Sequence, residues 1–467
     1  MRDAIMSDAS LILSVSGLRG IVGESLTNQV AARYAAAFAQ WLRRDRDVDT
    51  GLHVVVGSDS RPSRAELEPV IVDALAQEGC RVTRVGVQTT PAVALMVRGV
   101  GAEGGLMLTA SHNPEQWNGI KPFTPDGAAP SPEQVTQIID GYHAMAMRLS
   151  GRSHTGAIDE DDTCGQAHVE TILRNIDVGT IRARQFSVVL DSVHGAGGPS
   201  TALLLGELGA TVKHLYAEPT GRFPRVPEPT GELVTELCEA VCDQRADIGL
   251  AQDSDADRLA LVDEHGAYVG EEYTLALCSQ HVLQCAPSGP HAVAANLSTS
   301  RMLDDVADHF GAIVLRTPVG EANVVKGMRQ TGAIVGGEGN GGVIWPRIGW
   351  VRDSLAGIAL VLDMMARDGR SLGEHVADIP RYAIVKDKVS IPEGDIGPAI
   401  ARVREHFTSE KSDTQDGLRI DWTNRWVHIR PSNTEPIVRI IAEANDAGSA
   451  QALIDQVRAV IGAPATA

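Results

Sequence analysis

The chain has 467 residues, with 60 Asp and Glu against 41 Lys and Arg and a formal net charge of −19, a balance that disfavours nucleic acid as a partner. Domains of roughly 100 to 200 residues divide such a length into three or four, each able to bury its own core. Aromatic residues are only 4% of the chain against 43% hydrophobic, so the cores must rest on Val, Leu, Ile and Ala, as α/β layers do.

No apolar run approaches the ~18 to 20 residues that cross a bilayer. The short run at residues 11–15 follows Asp3 and Asp8, unlike a signal peptide. Six cysteines (Cys80, Cys164, Cys238, Cys242, Cys278, Cys285) lack the spacing of a disulfide framework or paired CxxC knuckles. They read as reduced thiols of a cytosolic protein. Cys238 and Cys242, four apart on a predicted helix, read as a small buried pair rather than a zinc site.

Along the chain, Ser14-Val15-Ser16-Gly17-Leu18-Arg19-Gly20 first supplies an arginine flanked by glycines. Residues 53–57 predict a strand that ends in Ser58-Asp59-Ser60-Arg61, after which Ser63 and Glu66 have capping-box spacing and open a helix with Leu67, Val70, Ile71, Ala74 and Leu75 on one face. A second strand, residues 105–108, leads to Thr109-Ala110-Ser111-His112-Asn113-Pro114. Asn113 and Pro114 suit the cap and first residue of a helix, whose N-terminus would favour a phosphate on Ser111. The alternative is an ordinary capped turn. A serine-hydrolase reading is poorer, because adjacent Ser111 and His112 are badly arranged as nucleophile and base and no Gly-x-Ser-x-Gly elbow surrounds them.

The polar stretch at residues 150–163 predicts a linker. Residues 187–190 and 248–251 are two further strands ending in polar residues, where α/β sheets bind ligands. The second is followed by Asp253, Asp255 and Asp257, whose alternation lets three carboxylates converge on a hard divalent cation such as magnesium. An EF-hand would use Glu264 as its twelfth loop residue, but Arg258 stands where that loop needs Gly and Leu261 where it needs a ligand. A haloacid-dehalogenase-like reading, with Asp253 as nucleophile and Asp255 as acid, remains the alternative enzyme.

Gly337-Glu338-Gly339-Asn340-Gly341-Gly342 and residues 99–104 each contain a formal GxGxxG. Neither has the strand, helix and acidic partner of a dinucleotide fingerprint, and Glu338 is better suited to accept sugar hydroxyls. Finally, residues 420–429 predict one extended segment, closed by Arg430-Pro431-Ser432-Asn433-Thr434-Glu435-Pro436, where arginine, hydroxyls and turn amides form a phosphate cradle or a surface turn. Alternating Val438, Ile440 and Ala442 and a helix from Ser449 complete a small α+β domain. The expected fold is α/β, with domains at 1–155, 156–267 and 268–372 and the α+β domain at 373–467.

Taken together, Ser16-Gly17-Leu18-Arg19-Gly20, the Ser111 hexad, the Asp253 to Arg258 run, the Glu338 loop and the Arg430 loop resemble the α-D-phosphohexomutase superfamily over nearly the whole chain. The resemblance implies three similar α/β domains with mixed sheets and a smaller fourth around a central cleft. It implies a cytoplasmic, magnesium-dependent enzyme, monomer or homodimer, that interconverts hexose 6- and 1-phosphates and is activated by a sugar 1,6-bisphosphate. By matching position, Ser111 carries the phosphoryl group and joins Asp253, Asp255 and Asp257 as a metal ligand, with Arg19, Lys121 and His112 about the reacting oxygen. Glu338, Asn340 and Arg258 face the sugar, and Arg430, Ser432, Asn433, Thr434 and Arg439 hold the phosphate that is not transferred. Asp59 and Arg61 brace the site. The chain departs from the family at Asn433, where Gly is usual, and after Glu338, where Ser and His are common; the resulting Glu-Gly-Asn-Gly-Gly leans towards glucosamine phosphate. A phosphatase and a silent sugar-phosphate sensor are the competing functions.

Overall fold

The computed structural model describes residues 11–44, 51–145, 156–391, 396–431 and 437–462. The first sheet contains β1 (Ile12–Ser14), β2 (Gly17–Ile21), β3 (Leu52–Ser58), β4 (Cys80–Val87), β5 (Gly104–Leu108), β6 (Trp117–Phe123) and β7 (Ile158–Glu160), with α1 (Asn28–Arg43), α2 (Arg64–Gln77), α3 (Thr90–Gly99) and α4 (Pro132–Ala144). Side-chain alternation along β3 gives it two buried faces: Val54 and Val56 pack with α1 and α2, and Val55 with α3. β7 lies within the stretch expected as linker, and pairs in parallel with β4 at the sheet edge.

The second sheet takes β8 (Ser187–Asp191), β9 (Thr211–Leu215), β10 (Ile248–Gln252) and β11 (Leu259–Val262), with α5 (Cys164–Leu173), α6 (Val178–Arg184), α7 (Gly197–Glu207) and α8 (Thr235–Gln244). On α8, Cys238 is half-buried and Cys242 exposed, its thiol donating to the His265 carbonyl at 3.2 Å, so they are not the buried pair expected. The third sheet takes β12 (Ala292–Asn296), β13 (Ile313–Thr317), β14 (Val335–Glu338) and β15 (Gly342–Ile344), with α9 (Glu271–Gln284), α10 (Met302–His309), α11 (Glu321–Thr331), α12 (Ser354–Asp368) and α13 (Leu372–Ala377).

One four-stranded motif recurs in all three. The orders β4-β3-β5-β6, β9-β8-β10-β11 and β13-β12-β14-β15 each set a central strand parallel to both neighbours and close with an antiparallel fourth strand. The turn into that fourth strand lies at the carboxyl end of a parallel strand, where such sheets present ligands. In the first motif this turn carries Ser111, in the second Asp253, Asp255 and Asp257, and in the third Gly339-Asn340-Gly341.

The last unit is a five-stranded antiparallel sheet in the order β16-β20-β19-β18-β17. Its strands are β16 (Ala383–Ser390), β17 (Lys411–Asp413), β18 (Leu418–Asp421), β19 (Trp426–Pro431) and β20 (Ile437–Ala444), covered on one face by α14 (Ile396–His406) and α15 (Ala447–Gly462). The segment expected to run extended from 420 to 429 is a β18–β19 hairpin, paired Asp421 to Trp426. This unit docks on the third through buried Arg419, which donates to the Leu297 carbonyl and stacks over Trp426, and through His428. His428 Nε2 lies 2.6 Å from the Asp416 carbonyl, which only accepts, so Nε2 carries the proton and Nδ1 accepts from the Ser298 hydroxyl at 2.8 Å.

Candidate active site

Ser111 occupies a turn rather than the approach to a helix. After Pro114 the chain enters β6, with the Trp117 amide closing on the Pro114 carbonyl at 3.0 Å and Gly119 paired with Arg19 of β2. A Cβ at Gly119 would meet the Leu18 and Thr109 carbonyl oxygens at 2.5 and 2.8 Å, so this strand fits between its neighbours only with glycine there. The Asn118 side chain reaches back to donate to Ser63 Oγ at 2.9 Å. Ser63 accordingly precedes α2 without making the expected side-chain cap.

The turn's shape comes from a tertiary contact, the wholly buried Arg61. Its guanidinium donates to the carbonyls of Ser111 at 2.6 Å, Asn113 at 2.7 Å and Pro114 at 2.8 Å, while Nε donates to Asp59 at 3.1 Å. Asp59 also accepts the Thr109 hydroxyl at 2.7 Å, and Ser111 N donates to Thr109 Oγ1 at 2.9 Å. So clamped, Ser111 adopts φ 49°, a left-handed conformation that costs a non-glycine residue about 1 to 3 kcal/mol and that surrounding contacts must offset.

The clamp aims Ser111 Oγ at the second motif, where it donates to Asp253 Oδ2 at 2.8 Å. Asp253, Asp255 and Asp257 are buried, and their ligand atoms lie within 4.8 Å of one another. Three carboxylates this close require cations. Lys121 Nζ donates to Asp255 at 2.6 Å and to Asp257 at 3.0 Å, and Arg352 Nη2 to Asp257 at 2.7 Å. Burial raises all three acids, but Arg352 and Lys121 outweigh it at Asp257, and Lys121 at Asp255, holding both below the usual carboxylate range. At Asp253 the paired guanidinium, Arg258 Nε, stands 4.0 Å off, and burial and the charges of Asp257 and Asp255 prevail, pushing the acid well above that range. Its Oδ1 accepts the Asp257 and Arg258 amides, both at 3.1 Å.

These residues suit a divalent cation. Asp255 Oδ1 and Asp257 Oδ1 are buried with no hydrogen-bond partner among the described residues, and the donor set is all oxygen, the preference of magnesium. A hard cation there would take over the charge that Lys121 supplies to Asp255 and Asp257. His112 is half-buried on the same turn; burial, then the charges of Arg258 and Arg19, push its imidazole down to about 3. It is therefore neutral, and its Nδ1 has no partner among the described residues. Arg19 donates to Asn113 Oδ1 at 3.1 Å.

The third hairpin meets these two across a cavity of about 230 Å³ lined by Arg19, His112, Lys121, Arg258, Asn340 and Arg352, among others. Gly341 turns it at φ 85°, where a Cβ would lie 2.3 Å from the Leu259 carbonyl oxygen. Glu338 was expected on an open loop. Instead it ends β14 at 6% exposure, bound by Asn296, the Gly320 amide and Arg352. Arg352 was not anticipated: it also binds Glu321 at 3.0 Å, so one guanidinium ties the metal-type loop to the sugar-type loop. Its only sequence signal is a charge next to Asp353, the N-cap of α12. Thr90, which donates to Asp255 at 2.6 Å, and Ser254, which donates to the Ser111 carbonyl at 2.7 Å, were equally unforeseen.

In the fourth unit, Arg430 of β19 stands opposite Arg439 of β20, and Arg439 stands opposite Lys388 of β16. Directly paired residues share a sheet face, so three cations lie in one row; such like-charge pairs are unfavourable without an anion. Lys388 joins the anticipated pair only through strand pairing. Asp416 supplies one carboxylate, 2.9 Å from Arg430 Nε. The expected Ser432, Asn433 and Thr434 lie outside the described residues.

Four models of the phosphoglucomutase/phosphomannomutase family match the chain in succession: alpha/beta/alpha domain I over residues 11–148, domain II over 166–266, domain III over 270–382 and the C-terminal domain over 387–460. A protein of Methanopyrus kandleri named "Probable phosphoglucosamine mutase" is 36% identical over 448 residues, covering 94% of this chain and 95% of the relative. A "Phosphoglucomutase/phosphomannomutase" of Thermococcus kodakarensis is 35% identical over 443 residues, covering 94% and 96%. An X-ray structure of a phosphoglucomutase/phosphomannomutase family protein from Burkholderia thailandensis superposes with a TM-score of 0.83 at 25% identity, over 98% of each chain. The chain belongs to the phosphoglucomutase/phosphomannomutase family of α-D-phosphohexomutases.

Proposed function

We propose that this phosphohexomutase moves a phosphoryl group between O6 and O1 of glucosamine phosphate by way of Ser111. The observation that carries the route is the meeting of the Ser111 hydroxyl, the three aspartates and Lys121 at one buried point. In the phosphorylated enzyme the bond between Ser111 Oγ and phosphorus breaks as the free sugar hydroxyl forms its own bond to phosphorus, and the hydroxyl proton passes by way of a neighbouring base to the departing Ser111 Oγ. The bisphosphate turns over, and its other phosphoryl group returns to Ser111. Ser111, Asp253, Asp255 and Asp257 are the residues that would hold a magnesium ion, which when bound would offset charge on the transferring group.

Lys121 and Arg19 favour the anionic oxygens, and neutral His112 offers Nδ1 to the reacting hydroxyl. Arg430, Arg439 and Lys388, together with Ser432, Asn433 and Thr434, hold the phosphate that is not transferred. A cation row on a separate unit accepts either end of a substrate that binds in two orientations. Full burial of Ser111 protects its phosphate from water. Glucosamine phosphate is favoured by the names of several relatives and by the Glu-Gly-Asn-Gly-Gly loop.

The test is to incubate the protein with magnesium and a hexose 1,6-bisphosphate, and to locate the added phosphoryl group by peptide mass analysis. We expect it on Ser111; a phosphoryl group on Asp253 instead would favour the dehalogenase-like phosphatase.

A further inference from the structure

We infer that Glu321 is the specificity-determining residue for an amino sugar, the carboxylate that pairs with a substrate ammonium. The inference rests on the mutase reading above and deepens it.

Two carboxylates line the sugar side of the cavity, Glu338 and Glu321. Glu338 is saturated: Oε1 accepts from Asn296 Nδ2 at 2.8 Å and the Gly320 amide at 3.2 Å, and Oε2 accepts from Arg352 Nη1 at 2.6 Å. Glu321 is only half used. Its Oε2 accepts the Arg352 amide and Nε, both at 3.0 Å, whereas its Oε1 has no partner among the described residues. The side chain is 14% exposed and lines the cavity.

Charge points the same way. Among the described residues Arg352 is the one ion-pair partner of both Glu321 and Glu338, and it also binds Asp257, so its positive charge is divided among three carboxylates. A second cation entering beside Glu321 is therefore favoured. An ammonium is a compact three-donor cation, and it adds to its hydrogen bond with a carboxylate a Coulomb attraction that a hydroxyl in the same place does not supply. The position is also rigid: Glu321 begins α11, and the preceding Gly320, at φ 120°, is held by Glu338 through its amide.

The experiment compares kcat/KM for glucosamine 6-phosphate and glucose 6-phosphate in the wild type and in Glu321→Gln, which keeps side-chain size and an acceptor for Arg352. We expect the wild type to favour the amino sugar and the variant to lower that ratio about tenfold, the separation between charge-assisted and neutral hydrogen bonding. An unchanged ratio, or a wild type that prefers glucose phosphate, overturns the role of Glu321 and leaves the mutase standing. A wild type that isomerises neither sugar overturns both. Should Glu321→Gln lose all turnover, calorimetry on Ser111→Ala with and without Glu321→Gln decides: a preference for glucosamine 6-phosphate over glucose 6-phosphate that falls about tenfold with Glu321→Gln supports the inference, and an equal preference in the two proteins overturns it.

Discussion

The guanidinium of Arg61 donates to the carbonyl of Ser111 at 2.6 Å from a wholly buried position fifty residues earlier in the chain. The conformation of Ser111 is thus imposed by the turn that follows β3. Arg61→Met should abolish turnover, because the carbonyls of residues 111, 113 and 114 lose their common donor. It also leaves Asp59 as a buried carboxylate without its cation, a change that costs about 3 to 5 kcal/mol. Chemical denaturation and steady-state rates measure the two effects; a stable variant with wild-type turnover contradicts the clamp.

The acidic cluster predicts a metal affinity that can be measured without substrate. Asp255→Asn removes one charge and one of the unpartnered oxygens, and calorimetry with magnesium or manganese should show binding weakened by at least about tenfold. Equal affinities in the variant and the wild type would falsify the assignment of Asp255 as a ligand.

Docking of the fourth unit should depend on pH through His428. Burial is the main cause that pushes its imidazole down to about 4, against about 6.5 in an unfolded chain. The unfolded protein therefore binds a proton between these values that the folded protein does not. The stabilisation is complete above about pH 6.5 and is lost as pH falls towards 4. Protonation also turns Nδ1, the acceptor for Ser298, into a donor. Thermal melting of the wild type should fall across this window more steeply than that of His428→Gln, which cannot titrate there; parallel slopes contradict the role.

The fold could be anticipated where information is local. Strands at residues 187–190 and 248–251 stand out because continuous aliphatic runs stop at polar turns, and Asp253, Asp255 and Asp257 because their alternation has few uses besides a cation. Failures arise where tertiary contacts outweigh local signals. Asn113-Pro114 has good cap chemistry, yet Arg61 and the pairing of β6 take that backbone into a strand. Ser63 has capping-box spacing, but its hydroxyl binds Asn118. The GxGxxG at residue 337 is a hairpin because Gly341 must turn under Leu259. Arg352 has no motif, since its importance lies in three carboxylates brought together from Asp257, Glu321 and Glu338. The recurrence of one motif three times was expected from the family resemblance and not from matching residues, because it is topological: the turn into the fourth strand keeps its place while its residues differ.

The central claim is that the chain transfers a phosphoryl group within a hexose phosphate through Ser111. Phosphorus NMR tests it most directly, on the purified protein with magnesium, a trace of the matching sugar 1,6-bisphosphate and, in turn, glucosamine, mannose and glucose 6-phosphates. We predict growth of a sugar 1-phosphate signal, fastest with glucosamine, and no such signal from Ser111→Ala even though that variant still binds the sugar phosphate. Release of inorganic phosphate alone, or wild-type isomerisation by Ser111→Ala, contradicts the account.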